Sequence, residues 1–102
     1  MAHTYLLVEA DGKISEVTSE QPLKLGETQK LVGGPIQSVE VGIFEGYINA
    51  NRLSAGLTKN KLFGQFAGNL VIGFHDDERR SFRGLTPDEL KAAKDGLAVK
   101  IN

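Results

Sequence analysis

The segment IQSVEVGIF (residues 36–44) shows the clearest alternation of apolar and polar residues in the chain. Positions 39, 41 and 43 are Val, Val and Ile, whereas positions 38, 40 and 42 are Ser, Glu and Gly. Because successive side chains of a strand point to opposite faces, this spacing predicts a strand with one buried face. The turn signal Glu45-Gly46 follows, so we predict that residues 47–51 form the partner strand of a hairpin.

Two strands and a helix are predicted upstream of this hairpin. Residues 4–10 are rich in aliphatic side chains and precede the tight-turn pair Asp11-Gly12. We therefore predict a first strand there and a second one over the weakly alternating residues 13–18. Pro22 fits the first position of a helix that extends to residue 32. The pair Gly33-Gly34 predicts the end of this helix, because Gly33 can adopt a left-handed cap.

Downstream, a long irregular segment precedes two more predicted strands. Residues 52–68 contain dispersed Leu and Phe residues between glycines, so we expect a loop that packs against the sheet. Residues 69–74 are predicted to form a buried strand, and residues 81–83 a short strand.

The tetrapeptide TPDE at residues 86–89 predicts the start of a helix. Thr86 can cap the helix, Pro87 fits its first position, and Glu89 can reach back in a capping box. Gly96 is the predicted stop of this helix. Residues 97–102 are then expected to form a C-terminal tail.

Together these elements predict an α+β fold with one small domain over residues 4–96. It should contain a mixed or antiparallel sheet of four to five strands, with two helices on one face. A small sheet with few helices leaves an edge or a face open, and pairing through that surface would allow a homodimer.

Length and composition narrow the class of protein. With 102 residues, of which 40% are hydrophobic and 25% charged, the chain fits one ordinary globular domain. It contains no cysteine, which excludes a disulfide framework, a zinc ribbon and a thiol nucleophile. Apolar runs are short, and no basic segment precedes a long apolar one at the N-terminus. We therefore expect a cytoplasmic protein that contacts no membrane.

The chain offers no constellation typical of an enzyme, a metal site or a nucleic-acid interface. No serine lies in a glycine-flanked elbow, so we expect no catalytic residue. The run HDDE at residues 75–78 contains side chains that can bind metals. Adjacent side chains on a strand or turn point in different directions and do not converge on one ion, so we expect neither a metal nor a cofactor. Arg79, Arg80 and Arg83 lie beside three acidic residues, and the small local charge argues against nucleic acid as a partner.

Charge is distributed unevenly along the chain, although the net charge is only −1. Residues 1–51 carry three basic and seven acidic side chains, and residues 52–102 carry nine basic and six acidic ones. No Asp or Glu occurs between Gly46 and His75. A surface that lacks carboxylates and carries amides and cations suits an anionic ligand.

Within this acid-free segment we predict that five residues line a ligand site: Asn49, Asn51, Arg52, Asn60 and Lys61. Amide groups both donate and accept hydrogen bonds, and Arg and Lys side chains hold phosphate or carboxylate groups. In this interpretation the segment is a folded lobe whose polar tips face outward. In the alternative, the Asn and Lys residues decorate turns, the phenylalanines fill the core, and the lack of acids reflects buried strands.

Several short motifs resemble, in order, those of a known family. They are LVGG at residues 31–34, YINANR at 47–52, GNLVIG at 68–73 and FRGLT at 82–86. Over residues 4–92 the chain resembles the family catalogued as domain of unknown function 3846. This resemblance implies a small domain of phage, plasmid or bacterial genomes, and it implies no particular activity.

The sequence leaves two functions open. The first is a non-enzymatic binding or interaction module that presents the 45–69 loop and one sheet face to another macromolecule such as a protein partner, as an accessory protein of a mobile element or a bacterium. The second is a binder that sequesters a small anionic, nucleotide-like ligand between the 45–69 loop and the sheet.

Overall fold

Six strands and two helices make up the described part of the chain. The computed structural model describes residues 3–42, 44–51, 56–62, 66–76 and 81–101. In chain order the elements are β1 (His3–Val8), β2 (Ile14–Ser19), α1 (Leu25–Val32), β3 (Ile36–Val41), β4 (Phe44–Asn49), β5 (Leu70–Asp76), β6 (Ser81–Arg83) and α2 (Pro87–Ile101).

All the strands belong to one antiparallel sheet. Its order is β2-β1-β5-β4-β3, and the short β6 pairs with β5 beside this path. The predicted α+β class is confirmed, and the sheet has one short strand more than the expected maximum of five. Strand β5 lies at the centre, which agrees with its nearly continuous apolar sequence.

The two helices cover opposite faces of the sheet, so the prediction that both lie on one face is wrong. Leu6 of β1 belongs to the apolar cluster that contains Ala93 of α2. The adjacent Tyr5 belongs to a second cluster, which contains Val32 of α1. Because neighbouring residues of a strand point to opposite faces, each helix must lie on its own face. The central strands are apolar on both faces, and each face therefore needs a cover.

The β3–β4 hairpin turns three residues earlier than predicted. Gly42 has a φ of +62° and lies between the strands, whereas the predicted turn residues Glu45 and Gly46 belong to β4. In the register Gly46 lies opposite Val39. A Cβ atom on Gly46 would lie 2.8 Å from a methyl carbon of Leu70. Gly46 is thus required by close packing inside a strand, and the turn was misplaced because packing glycines and turn glycines look alike in sequence.

Helix α1 begins at Leu25, so the prediction that Pro22 occupies its first position is wrong. The Glu27 carboxylate accepts the Lys24 main-chain N–H at 3.2 Å, which stabilises the helix start three residues later than predicted. At the other end Gly33 is left-handed, with a φ of +83°, and its N–H donates to the Gln29 carbonyl. The predicted end of this helix is confirmed.

The predicted start of α2 is confirmed in detail. The Thr86 N–H donates to the Glu89 carboxylate at 2.9 Å, and the Glu89 N–H donates to the Thr86 hydroxyl at 3.2 Å. The helix continues through Gly96 to Ile101, so the predicted stop at Gly96 is wrong. Gly96 is not among the glycines with positive φ, and without that geometry a glycine does not cap a helix. The division into a 4–96 domain and a 97–102 tail stays a prediction.

The Glu89 carboxylate should make the stability of the protein depend on acid. Arg83 donates two hydrogen bonds to it, at 2.8 and 3.1 Å, and these bonds hold the pKa of Glu89 below its usual range. The resulting stabilisation is complete above the unfolded pKa of about 4.3 and is lost as pH falls through the lowered pKa. We expect Glu89→Gln to cost about 1 kcal/mol at pH 7 and less at pH 3, measured by urea unfolding at both pH values. An equal cost at both would contradict this assignment.

Candidate functional site

Asn60, one of the predicted ligand residues, is buried at the end of the sheet where β1 ends and β5 begins. Only 1% of its surface is exposed. Its amide nitrogen donates to the carbonyl oxygens of Val8, Glu9 and Gly68, at distances between 3.0 and 3.3 Å. Its amide oxygen accepts the Leu62 N–H at 3.0 Å. The side chain therefore ties the loop to both neighbouring strands.

Asn49 and Asn69 perform the same task at the C-terminal end of α1. The Asn49 amide nitrogen donates to the Val32 carbonyl at 3.3 Å, and 2% of this residue is exposed. The Asn69 amide nitrogen donates to the Leu31 carbonyl at 3.1 Å, and its oxygen accepts the Ala10 N–H at 3.1 Å. The last carbonyl groups of a helix have no N–H donor within the helix, and the side-chain N–H groups of these two residues supply one.

The expectation that the polar tips of this lobe face outward is therefore wrong for Asn49 and Asn60. Asn51 and Lys61 are exposed, as expected, and Arg52 lies outside the described residues. The Lys61 N–H donates to the Ala10 carbonyl, which places this residue beside the β1–β2 turn. Whether these five residues bind a ligand stays a prediction.

The described parts of the predicted lobe pack against the sheet. Phe66 and Leu62 lie against the apolar cluster that contains Leu6. The bridge between Lys59 and Ala67 closes the loop on itself. The prediction of a loop packed on the sheet is confirmed for these residues, while Phe63 lies outside the described part of the chain.

A groove of about 640 Å³ lies at the opposite end of the sheet, where β3 ends and β4 begins. Side chains from both faces of the β3–β4 hairpin and from β5 line it. These residues are Ser38, Val39, Glu40, Gly42, Phe44, Glu45, Phe74 and His75. None of them is among the five residues predicted to line a ligand site.

The Glu45 carboxylate is the centre of the polar contacts in the groove. It lies 3.2 Å from the Nδ1 atom of His75, and it accepts a hydrogen bond from the Tyr47 hydroxyl. Burial of the Tyr47 phenol raises its pKa, and the negative charge and hydrogen bond of Glu45 raise it further. The Tyr47 ring packs edge-on against Phe82, with ring centres 4.5 Å apart.

A second carboxylate, that of Glu40, stands directly across the β3–β4 ladder from Glu45. Like charges at opposite positions of an antiparallel pair destabilise a sheet. Arg83 lies beside the groove. Its guanidinium group is 4.5 Å from the centre of the Phe74 ring and is paired with the Glu89 carboxylate. Among the described residues that line the groove there are two carboxylates and no Lys or Arg, so this described lining is acidic.

Sequence reasoning missed this pair because the turn was placed at Glu45-Gly46. Had a two-residue hairpin loop been placed at Gly42, the loop length would have set Glu40 opposite Glu45. The position of His75 carried no such signal, since it depends on the register between β4 and β5.

The described residues contain no group of three His, Asp or Glu side chains that could hold a metal ion. Within the same residues, no helix is both long enough and apolar enough to span a membrane.

Residues 3–98 match the family model described as Domain of unknown function (DUF3846). The chain belongs to this family. The match covers nearly the whole chain, including both ends of the sheet, and confirms the resemblance seen in the sequence. No curated protein and no solved structure shows significant similarity to this DUF3846 domain.

Replacing Asn60 by Ala should destabilise the domain strongly. Three carbonyl groups would each lose a hydrogen bond, although that of Glu9 keeps the Gly12 N–H, and the Leu62 N–H would lose its acceptor. We expect a cost on the order of 3 kcal/mol in the free energy of unfolding. Asn60→Asp has a similar shape but cannot donate, so we expect a comparable loss at pH 7. Lys61→Ala, an exposed change in the same loop, should cost less than about 0.5 kcal/mol. Urea unfolding measures all three; wild-type stability of Asn60→Ala would refute the assigned role.

Glu45→Gln should lower the pKa of Tyr47 toward its ordinary value near 10, because the nearby negative charge is removed. The burial contribution remains, so the pKa should stay above that value. A ¹³C NMR titration of labelled tyrosine follows both phenols separately. Tyr5 is the internal control, since burial is also the main cause of its raised pKa and Glu45 is not among the causes. An unchanged Tyr47 titration would show that the two side chains do not interact.

Proposed function

We propose that this DUF3846 protein is a non-enzymatic binding module that adds an extended segment of a protein partner to the edge of its sheet at β3. The observation that carries the proposal is the open side of this strand. Among the described residues β3 pairs with β4 alone, and it forms one end of the strand order. The acidic groove adjoins this edge through Ser38 and Glu40.

The register tells which backbone groups of β3 point away from the sheet. The Ala50 N–H donates to the Pro35 carbonyl at 2.7 Å, which marks these two as a hydrogen-bonded pair. Hydrogen-bonded and non-hydrogen-bonded pairs alternate along an antiparallel ladder. The N–H and C=O groups of Ile36, Ser38 and Glu40 therefore face outward, where a further strand could bond to them.

Two properties of β3 favour such pairing. Its six residues contain no Lys and no Pro, which are common means by which proteins block an exposed edge. Ser38 and Glu40 are also exposed, so an incoming strand meets no covering side chain from the described residues. Strand addition to an open edge is a recurring way to bind extended peptides.

The remaining parts of the proposal rest on the sequence. The lack of a nucleophile motif supports a non-enzymatic role. The lack of cysteine, and hence of disulfides, is compatible with a reducing cytoplasm. An accessory role in a mobile element or a bacterium rests on the family resemblance alone.

The second candidate is a binder of a small anionic ligand that uses Asn51, Arg52 and Lys61. Exposed Lys59 and Lys61 within the acid-free segment favour it. The buried amides of Asn49 and Asn60 weigh against it, because both donate hydrogen bonds to main-chain carbonyl groups of the domain itself. We therefore rank it below strand addition.

Ser38→Pro should abolish partner binding while leaving the domain folded. Proline removes an outward N–H and is tolerated at strand edges where the N–H faces solvent. Ser38→Thr, which keeps this N–H, is the matched control. The probe is a random octapeptide display library selected on the wild-type domain. We expect the selected peptides to lose at least tenfold in affinity for Ser38→Pro and less than threefold for Ser38→Thr, measured by fluorescence anisotropy.

Circular dichroism and thermal melting check that both variants fold. Hydrogen exchange gives an independent readout, since a bound strand should slow exchange of the Ser38 and Glu40 amides. The proposal fails if no peptide is enriched, or if the selected peptides bind Ser38→Pro as well as wild type. A thermal shift with a nucleotide that Lys61→Ala removes, without any edge-binding peptide, would favour the second candidate instead.

A further inference from the structure

We infer that the partner segment recognised at β3 carries a basic side chain, Lys or Arg, which lies against Glu40 in the acidic groove. This inference rests on the proposed function and adds the chemistry of the partner to it. The occupant is thus an extended basic segment of another protein. Charge complementarity between that segment and the groove selects it.

The groove presents two carboxylates in one row across the sheet. Glu40 and Glu45 are opposite each other on β3 and β4, and their side chains share a face. Glu45 is mostly covered and contacts His75 and Tyr47, whereas Glu40 is exposed at the edge. Because paired like charges destabilise the ladder, a cation beside Glu40 would offset a repulsion that the free domain carries.

The geometry of strand addition places a partner side chain next to Glu40. Residues directly opposite each other in an antiparallel pair point to the same face, with Cβ atoms about 5 Å apart. A partner residue opposite Glu40 would continue the row formed by Glu40 and Glu45. A Lys or Arg there reaches the Glu40 carboxylate with its flexible stem.

Some side chains beside the Glu40–Glu45 row carry a hydroxyl group or an aromatic ring, and no carboxylate. Ser38 stands opposite Tyr47, two residues along the strand, and offers a hydroxyl. The aromatic pair Phe44 and Phe74, with ring centres 6.4 Å apart, forms another part of the groove wall. An acidic partner residue opposite Glu40 would bring a third carboxylate into the row and would be rejected.

A second copy of this chain fits the edge less well. The sequence of β3, IQSVEV, contains an acid and no base, so pairing of β3 with itself brings no cation to either groove. Pairing of β3 with the other terminal strand, β2, would be head-to-tail and would not close into a dimer. Both arguments favour a different protein as the occupant.

The test uses the octapeptides selected on the wild-type domain, each resynthesised with its basic residues as Lys, Gln or Glu. At low salt we expect the Lys form to bind wild type at least tenfold more tightly than the Gln form, and the Glu form to bind most weakly. In Glu40→Gln the advantage of Lys over Gln should fall below threefold. Glu20→Gln, which removes an exposed glutamate outside the groove, is the matched control and should keep the tenfold advantage.

The outcomes separate this inference from the proposed function. Peptides that depend on the Ser38 N–H but show no preference for Lys would leave strand addition standing and overturn the basic partner. A preference for Lys that persists in Glu40→Gln would also overturn it, because the cation would then lie elsewhere. A concentration-dependent dimer in analytical ultracentrifugation that Ser38→Pro dissociates would assign the edge to a second copy. If no selected peptide requires the β3 edge, both proposals fail.

Discussion

The amide group of Asn60 joins its own loop to the end of β1, 52 residues away in sequence, and to Gly68, just before β5. It donates to carbonyl groups at the end of β1 and before β5, and it accepts an N–H from its own loop. A buried amide can satisfy several main-chain groups at once, and without it those groups would be costly to bury. Asn49 and Asn69 extend the same arrangement to the end of α1. The position of the loop, the helix end and the central strands all depend on these hydrogen bonds.

This arrangement gives the two ends of the sheet different characters. At the amide end, polar side chains bond to the backbone and are largely withdrawn from solvent. At the groove end, Glu40 and His75 remain exposed beside an open strand. The proposed strand addition therefore uses the groove end, and not the end at which Asn49 and Asn60 are buried.

Local interactions account for the parts of the fold that sequence reasoning predicted well. The capping box of α2 involves residues three apart, and the left-handed Gly33 ends α1 within a single turn. Such features depend on few neighbours and are therefore visible in short sequence patterns. Gly46 behaves differently, because its lack of a side chain serves a contact with Leu70 across the sheet. The predicted turn was wrong for that reason, and the Glu40–Glu45 pair was missed with it.

The amino-acid sequence alone determined the α+β class, the family, most of the strands and the starts and ends set by local caps. It also showed the acid-free segment, but composition cannot tell whether an amide faces solvent or a distant carbonyl group. Burial of Asn60, the two-sided placement of the helices and the meeting of Glu45 with His75 arose from contacts between residues far apart in the chain. Those contacts exist only once the strands pair in register, because one residue of slip would move every side chain to the other face.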